Sequence, residues 1–433
     1  MFESISSLLA AFKLPDLRKR ILFVFGMFAL FVLGLHIPVP NIDREAMDRL
    51  MKTAGGLFGL LDVFSGGAFR RFSIFAMSIT PYINASIIFQ LLGIASDRIK
   101  QMMREGEAGQ KKISQYTRYL TIALAFLQAW GLTYYLMGQG IVKVSSLFQL
   151  IPMTITLTAG TACLMWIAEQ ITDKGIGNGV SLVIFAGIAA RIPVDVNLTY
   201  QGWRGGAHQW YNVLFLIAIF VGTVMAIIYM QQGQRKIPVQ HAKRVVGTRV
   251  YGGASTFLPL RVNTAGVIPI IFAISIALFP QQIAMFISGL LPEGLRPTLE
   301  NVVSFFNPGD SPFGSGLYFL LVILFTYFYT AVVFNVPEVA DNMKKNGSYI
   351  PGYRPGRPTA DYLDRVLTRI TMPGAIFLGI IALLQYYVPN ITQVRSFSLV
   401  GGTSLLIVVG VALETMQQIE AHLVMRHYEV FIK

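Results

Sequence analysis

The chain has 433 residues, of which 54% are hydrophobic and only 13% are charged, and its formal net charge is +13. Soluble domains carry about 25% charged residues because their surface faces water, so this composition favours a protein of the lipid bilayer. The single cysteine, Cys163, excludes an internal disulfide framework and multi-cysteine metal motifs. In such a protein, excess Lys and Arg indicates the orientation of the loops before it indicates nucleic-acid binding.

Ten apolar stretches are long enough to cross the hydrocarbon core, which takes about 20 residues of helix. The predicted spans are 20–37, 72–94, 117–137, 147–171, 177–192, 211–230, 263–286, 315–334, 366–388 and 400–416. The chain is therefore predicted to be an all-α polytopic membrane protein with ten transmembrane helices.

The order of these spans predicts the domain organisation. If the ten spans form two repeats of five, the odd number of spans in each repeat forces the second repeat to be inverted in the membrane relative to the first. We place the two halves at 21–192 and 193–416. Apolar residues recur every three to four positions within 1–20, which predicts an amphipathic helix on the cytoplasmic surface of the membrane or on a partner. Residues 417–433 are predicted to form a cytoplasmic tail.

Basic residues concentrate at the N-terminus, at the C-terminus and in the loops after even-numbered spans, so both termini are predicted to be cytoplasmic. Two of these loops, 231–262 and 335–365, are too long to be simple turns. The first contains a cluster without acidic residues that would attract polyanions such as ribosomal RNA, or an acidic protein surface. Its candidate docking residues are Arg235, Lys236, Lys243, Arg244 and Arg249. The alternative is that these charges only anchor the loop on the cytoplasmic side.

A break in the pattern precedes the second span. Residues 59–94 would form one helix of about 54 Å, far longer than the bilayer is thick. The pair Gly66-Gly67 can interrupt a helix, and the loop alternation puts Arg70 and Arg71 at the outer face. We therefore predict a short re-entrant helix within 59–71, covered by protein or lining a water-filled cavity.

Catalytic and metal-binding patterns are missing from the sequence. There is no His-Glu-x-x-His motif, and the glycines of 175–179 lack the spacing of a nucleotide-binding loop, so neither an enzyme nor a cofactor is predicted. The spans also have almost none of the mid-span charges that transporters use, and Asp62, Glu169 and Glu414 are interpreted as interfacial residues. A conduit fits best, and a five-plus-five inverted-repeat secondary transporter is the alternative.

Several motifs occur in an order that identifies a family. They are Phe64-Ser65-Gly66-Gly67-Ala68, Pro81-Tyr82-Ile83-Asn84-Ala85-Ser86-Ile87, Gly175-Ile176-Gly177-Asn178-Gly179, Pro351-Gly352-Tyr353-Arg354-Pro355-Gly356 and Gly401-Gly402-Thr403-Ser404-Leu405-Leu406-Ile407. Together they resemble the SecY family of channel pore subunits along almost the whole chain.

The resemblance implies a protein-conducting channel of the bacterial plasma membrane. Such a channel passes unfolded secretory polypeptides across the membrane and releases membrane-protein helices sideways into lipid. The implied partners are a SecE-type subunit, a SecG-type subunit, the SecA motor, the ribosome, signal sequences and the translocating polypeptide itself. It further implies that a plug closes the pore from outside, which matches the re-entrant segment.

The resemblance also implies roles for individual residues. The implied pore ring is Ile83, Ile87, Ile184, Ile188, Ile271 and Ile407, of which the first two pairs are spaced i to i+4 on one helix face. The implied plug is Leu60, Leu61, Val63, Phe64, Ser65, Gly66 and Gly67. The implied lateral gate contains Thr80, Pro81, Gln128 and Pro269, where the prolines would otherwise be ordinary helix kinks. Arg354 and Arg357 join the docking residues.

Overall fold

A computed structural model describes residues 12, 14–53, 62, 65–143, 147–206, 208–241, 244–246, 249–251, 255–288, 296–394 and 402–432. Its α-helices are α1 (Pro15–Leu35), α2 (Arg44–Thr53), α3 (Ala68–Arg71), α4 (Thr80–Ala95), α5 (Asp97–Arg104), α6 (Glu107–Gly138), α7 (Leu150–Lys174), α8 (Gly179–Arg204), α9 (Trp210–Gln232), α10 (Ile268–Ala277), α11 (Phe279–Ser288), α12 (Arg296–Phe306), α13 (Pro312–Val333), α14 (Val336–Lys345), α15 (Arg357–Thr392) and α16 (Gly402–Ile432). Its strands are β1 (Gln234–His241), β2 (Arg244–Val246), β3 (Arg249–Tyr251), β4 (Ser255–Arg261) and β5 (Ser348–Tyr349).

Seven helices of the described part are long and apolar enough to cross a membrane, which confirms the polytopic α-helical fold. They are α6, α7, α8, α9, α13, α15 and α16. The other three predicted spans coincide with α1, which has three basic residues near its start, with α4, which has only 16 residues, and with the interrupted pair α10 and α11. The number of ten spans stays a prediction.

Several predicted span boundaries differ from the ends of the helices, and two of these differences affect the region of the re-entrant segment. The second span was expected to begin at residue 72, but α4 begins at Thr80, and Phe72 and Ser78 take left-handed φ values of 46° and 54° in the turns before it. The fifth span was expected to end at 192, but α8 continues through Pro193 to Arg204. An internal proline removes only one hydrogen bond, and the i to i+4 ion pair between Arg191 and Asp195 spans this turn. The boundary of the halves drawn at 192 therefore falls inside a helix.

The predicted segments at the two ends of the chain overlap the first and the last described helices. The N-terminal segment 1–20 lies mostly outside the described residues, although α1 already begins at Pro15. At the other end, α16 passes through residue 416 and continues to Ile432, so most of the predicted tail is a continuation of the last helix.

The two long basic loops contain strands that the sequence analysis missed. Strands β4, β1 and β5 form one antiparallel sheet, with Arg235 opposite Leu260 and Gln240 opposite Tyr349. The pattern that indicates strand β1 is the alternation, with a period of two residues, of buried Ile237 and Val239 with exposed neighbours. Because β1 and β5 come from different loops, this sheet joins 231–262 to 335–365.

Close helix packing around the main apolar core depends on small residues. In α7, a methyl group at Gly160 would overlap the carbonyl of Ile74 in the turns before α4. A methyl group built on Gly26 in α1 would have no neighbouring atom within 4 Å. Small residues at such contacts let backbones approach closely in membrane proteins, where packing rather than the hydrophobic effect drives helix association.

We predict that Gly160→Ala lowers the thermal stability of the purified protein in detergent, because the backbone of Ile74 must move away. Gly26→Ala is the matched control, since alanine is favoured over glycine in a helix interior by about 0.5–1 kcal/mol and meets no neighbour there. A melting temperature for Gly160→Ala at or above that of the control would contradict the close approach of α7 to residue 74.

Candidate functional site

The six isoleucines singled out by resemblance lie on four helices that share one core. Ile83 and Ile87 are on α4, Ile184 and Ile188 on α8, Ile271 on α10, and Ile407 on α16. Ile87, Ile184, Ile188 and Ile407 are buried members of the main hydrophobic cluster, and the other two are half-buried and pack against it. The helices that carry these residues thus come from both the beginning and the end of the chain and meet in one apolar region.

The re-entrant segment makes a tight turn at Ser65, Gly66 and Gly67. Gly66 and Gly67 have φ values of 69° and 82°, a left-handed conformation that favours glycine. The N–H of Gly67 donates to the carbonyl of Asp62 at 2.8 Å, and the hydroxyl of Ser65 accepts from the N–H of Phe69 at 3.0 Å. Four of the predicted plug residues, Leu60, Leu61, Val63 and Phe64, lie outside the described residues.

This turn packs directly on α8. A Cβ built on Gly66 would lie 2.9 Å from both the Cα and the carbonyl oxygen of Gly187. Gly187 immediately precedes Ile188 in the sequence. Ala68 and Phe69, which follow the turn, are fully buried. Within the described part of the predicted plug, residues 65–69 are therefore packed against α8 and bonded to one another.

Asp62 has a different environment from the one predicted for it. Its side chain is 3% exposed, and its Oδ2 accepts from Nη1 of Arg191 at 2.6 Å. Arg191 Nε in turn donates to Oδ1 of Asp195 at 3.1 Å, so the guanidinium joins two buried carboxylates. The interpretation of Asp62 as interfacial is wrong, because its burial is compensated by an ion pair with α8. The i to i+4 spacing of Arg191 and Asp195 signals their own pairing along α8, but no local pattern signals that Asp62, 129 positions away, is the second partner of Arg191.

A cavity of about 870 Å³ opens beside this ion pair. Its charged lining residues are Arg44, Asp48, Asp62, Arg70, Arg71, Arg191 and Asp195. Arg70 donates through Nε to Oδ1 of Asp48 on α2 at 2.7 Å, which ties the segment after the turn to that helix. The prediction that the re-entrant segment borders a cavity fits this arrangement.

The predicted gate prolines do not kink their helices. Pro81 and Pro269 each occupy the first turn of a helix, α4 and α10 respectively, where the missing N–H has no intrahelical partner to lose. Gln128 on α6 donates to Gln282 on α11 at 3.4 Å, a polar contact between the third and seventh predicted spans. Thr80 begins α4 and is half-buried. A gate role for these four residues stays a prediction.

On the joined sheet and the turn beside it, four of the predicted docking residues are exposed: Arg235, Lys236, Arg354 and Arg357. Arg354 lies in a turn with positive φ at Gly352 and Gly356, and the ring of Tyr353 stacks on Tyr362 with centroids 4.1 Å apart. Arg244 and Arg249 lie in β2 and β3, and Lys243 lies outside the described residues. In the part of the chain that is described, no three His, Cys, Asp or Glu side chains are placed to hold a metal ion.

These features define a polytopic helical membrane protein with an apolar centre, a covered re-entrant turn and a basic sheet. The SecY family model matches residues 73–416. The protein translocase subunit SecY of Streptomyces galbus is 46% identical over 98% of both chains, and that of Thermotoga maritima is 47% identical over 98% of this chain and 96% of the relative. The chain belongs to the SecY family.

Solved structures share the fold at lower identity. One described as the structure of a protein conducting channel is 17% identical, with a TM-score of 0.69 over 93% of this chain and 92% of its own. A structure from work on the plug domain of the SecY protein is 17% identical, with a TM-score of 0.65 over 93% of this chain and 92% of its own. Sec61 in the canine ribosome–channel complex is 16% identical, with a TM-score of 0.64 over 93% of this chain and 92% of its own.

We predict that Gly66→Ala loosens the re-entrant turn, because the added methyl group would meet the backbone of Gly187. Amide hydrogen exchange of residues 65–73, followed by mass spectrometry, should become faster. Gly67→Ala is the matched control: it carries the same left-handed strain of about 1–2 kcal/mol but has nothing within 4 Å of the new methyl group. Equal exchange in the two variants would show that the contact with Gly187 does not hold the turn.

Proposed function

We propose that this chain forms the pore through which unfolded polypeptides cross the bacterial plasma membrane, and from which membrane-protein helices pass sideways into lipid. One observation carries the proposal most directly: the re-entrant turn lies on the backbone of α8 beside Ile188, in the apolar region where the six isoleucines meet. Relatives of nearly the same length are named protein translocase subunits, which supports a channel and does not favour the secondary transporter.

The six isoleucines form the constriction. A narrow ring of apolar side chains excludes water when it is empty and so stops ions, yet it offers no hydrogen-bonding group to retain a passing peptide. Isoleucine is stiff at χ1 and fills space well. The i to i+4 pairs on α4 and α8 put two side chains of each helix on one face, which gives the ring depth along the pore axis.

The re-entrant segment serves as the plug of the idle channel. Residues 65–69 are its fixed base, because Ser65, Ala68 and Phe69 are buried and the N–H of Phe69 donates to the hydroxyl of Ser65. The lateral gate lies between α4 and α6 on one side and α10 and α11 on the other. The hydrogen bond between Gln128 and Gln282 spans it, and a long neutral contact of this kind is weak enough to break during opening.

The sheet of β4, β1 and β5 and the turn around Arg354 together form the cytoplasmic docking surface. Pairing of β1 with β5 joins the loop that carries Arg235 and Lys236 to the loop that carries the 350–356 turn, so one ligand surface can contact both loops. The ribosome, through its RNA, and the SecA motor are the proposed ligands. They supply the energy, since this chain is not an enzyme. SecE-type and SecG-type subunits complete the complex, and both termini lie in the cytoplasm.

We predict that Ile407→Asn, or Ile271→Asn, raises the ion conductance of the idle channel several-fold and lets precursors with defective signal sequences through. The amide wets the constriction, whereas the control Ile407→Val keeps it apolar and should behave like the unchanged protein. The measurement is single-channel current in planar bilayers together with transport of a signal-defective precursor. Unchanged current and unchanged signal selectivity in both Asn variants would remove these residues from the ring.

We predict that Arg354→Glu combined with Arg235→Glu weakens ribosome and motor binding, with the largest loss at low salt, because these exposed charges attract polyanions. Lys143→Glu, a single exposed charge reversal in the loop before α7, is the control for a charge change away from the sheet. Binding to the complex in lipid nanodiscs is measured over a salt series. If the double variant and the control bind equally at low salt, the docking surface is misassigned.

A further inference from the structure

One face of α8 changes from apolar to charged along its length. Ile184, Ile188, Arg191 and Asp195 follow one another at spacings of three or four residues, so they lie on the same side of the helix. The two isoleucines are buried in the main core, and the arginine and the aspartate line the outer cavity. The charged pair therefore begins one helical turn beyond the proposed constriction.

Asp62 connects the re-entrant turn to this charged end. Its Oδ2 accepts from Arg191 Nη1 at 2.6 Å, and its Oδ1 accepts from the backbone N–H of Arg70 at 2.8 Å. The backbone carbonyl of Asp62 accepts from the N–H of Gly67 at 2.8 Å and from the hydroxyl of Ser65 at 3.1 Å. One residue, through its backbone carbonyl and its carboxylate, thus holds both ends of the turn and binds them to α8.

Burial makes this ion pair different from the others on the same segment. The side chains of Asp62 and Asp195 are 3% and 1% exposed, and that of Arg191 is 18% exposed, so each charge depends on its partner rather than on water. The ion pair between Arg70 and Asp48 has side chains 41% and 35% exposed, and exposed pairs contribute little. Only the buried pair is strongly coupled to the position of the turn.

We propose that Asp62 and Arg191 form a charge clamp that fixes the base of the plug to α8, and that this clamp sets how tightly the idle channel is sealed. The inference rests on the proposed function, because it assigns positioning residues to the plug of that channel. In this arrangement Arg191 holds the turn against Gly187, and the contact with Gly187 keeps the plug base beside Ile188.

If the clamp seals the channel, variants of Asp62 and of Arg191 should increase ion leakage to different extents. An ion pair without this role would leave leakage unchanged. Asp62→Asn keeps an oxygen that can accept from the N–H of Arg70 and leaves a neutral Arg191–Asp195 pair. Arg191→Gln instead removes the guanidinium that the carboxylates of Asp62 and Asp195 share, which is the costlier outcome because two buried charges lose compensation at once. Leakage should therefore rank Arg191→Gln above Asp62→Asn, with Arg191→Lys nearer to the unchanged protein.

The experiment uses the complete complex, purified with its partner subunits and reconstituted into planar bilayers, with conductance measured without motor, ribosome or precursor. Per assembled complex, we expect the open probability to rise about tenfold or more for Arg191→Gln and less for Asp62→Asn. Asp48→Asn, which removes the charge of Asp48 from the exposed pair with Arg70, should stay within about twofold of the unchanged protein. Precursor transport is measured on the same preparations.

If Arg191→Gln fails to assemble, Asp62→Asn alone decides, since its change is isosteric. Conductance of Asp62→Asn equal to that of Asp48→Asn, in complexes that still transport precursor, would overturn the clamp while leaving the proposed function intact. Failure of the unchanged complex to transport precursor would overturn the proposed function itself.

Discussion

Backbone polar groups at membrane depth need partners inside the protein, and the arrangement of this chain follows from that constraint. An unsatisfied N–H or C=O in hydrocarbon costs several kcal/mol, so irregular backbone is tolerated only where protein covers it or water reaches it. The chain is irregular at Ser65–Gly67 and again in the turns before α4. Asp62 and Ser65 accept or donate within the first turn, α8 covers one side of it, and a cavity lies on the other.

In the orientation proposed for the channel, three kinds of surface follow one another across the membrane. Basic residues cover the sheet that joins the two long loops, an apolar centre is built from α4, α8, α10 and α16, and ion pairs line the cavity beside the re-entrant turn. Each surface suits one step of the proposed transport: docking of the energy source, sealing against ions, and holding the plug base in place. Helix α8 contributes to the last two, because its apolar and charged residues share one face.

Much of this could be predicted from the sequence. Apolar runs gave the helical membrane fold, and ordered motifs gave the family, because both signals extend over many residues. The end of α8 was predicted wrongly since Pro193 is a common helix terminator, and only the pairing of Arg191 with Asp195 distinguishes this case. The burial of Asp62 could not be predicted, because its partner lies 129 positions away in the chain. The pairing of β1 with β5 was missed because Gln240 and Tyr349 are 109 positions apart in the chain. In addition, the two residues of β5 are too few to show a strand pattern.

The central claim is that the chain forms a polypeptide pore, and transport by the reconstituted complex tests it most directly. The complex with a SecE-type subunit is incorporated into vesicles, supplied with the SecA motor and ATP, and given a precursor that carries a signal sequence. The account predicts that the precursor becomes protected from added protease, and that this protection disappears when the vesicle membrane is dissolved. If correctly assembled complexes left the precursor fully digestible, the chain would not conduct polypeptides and the account would be contradicted.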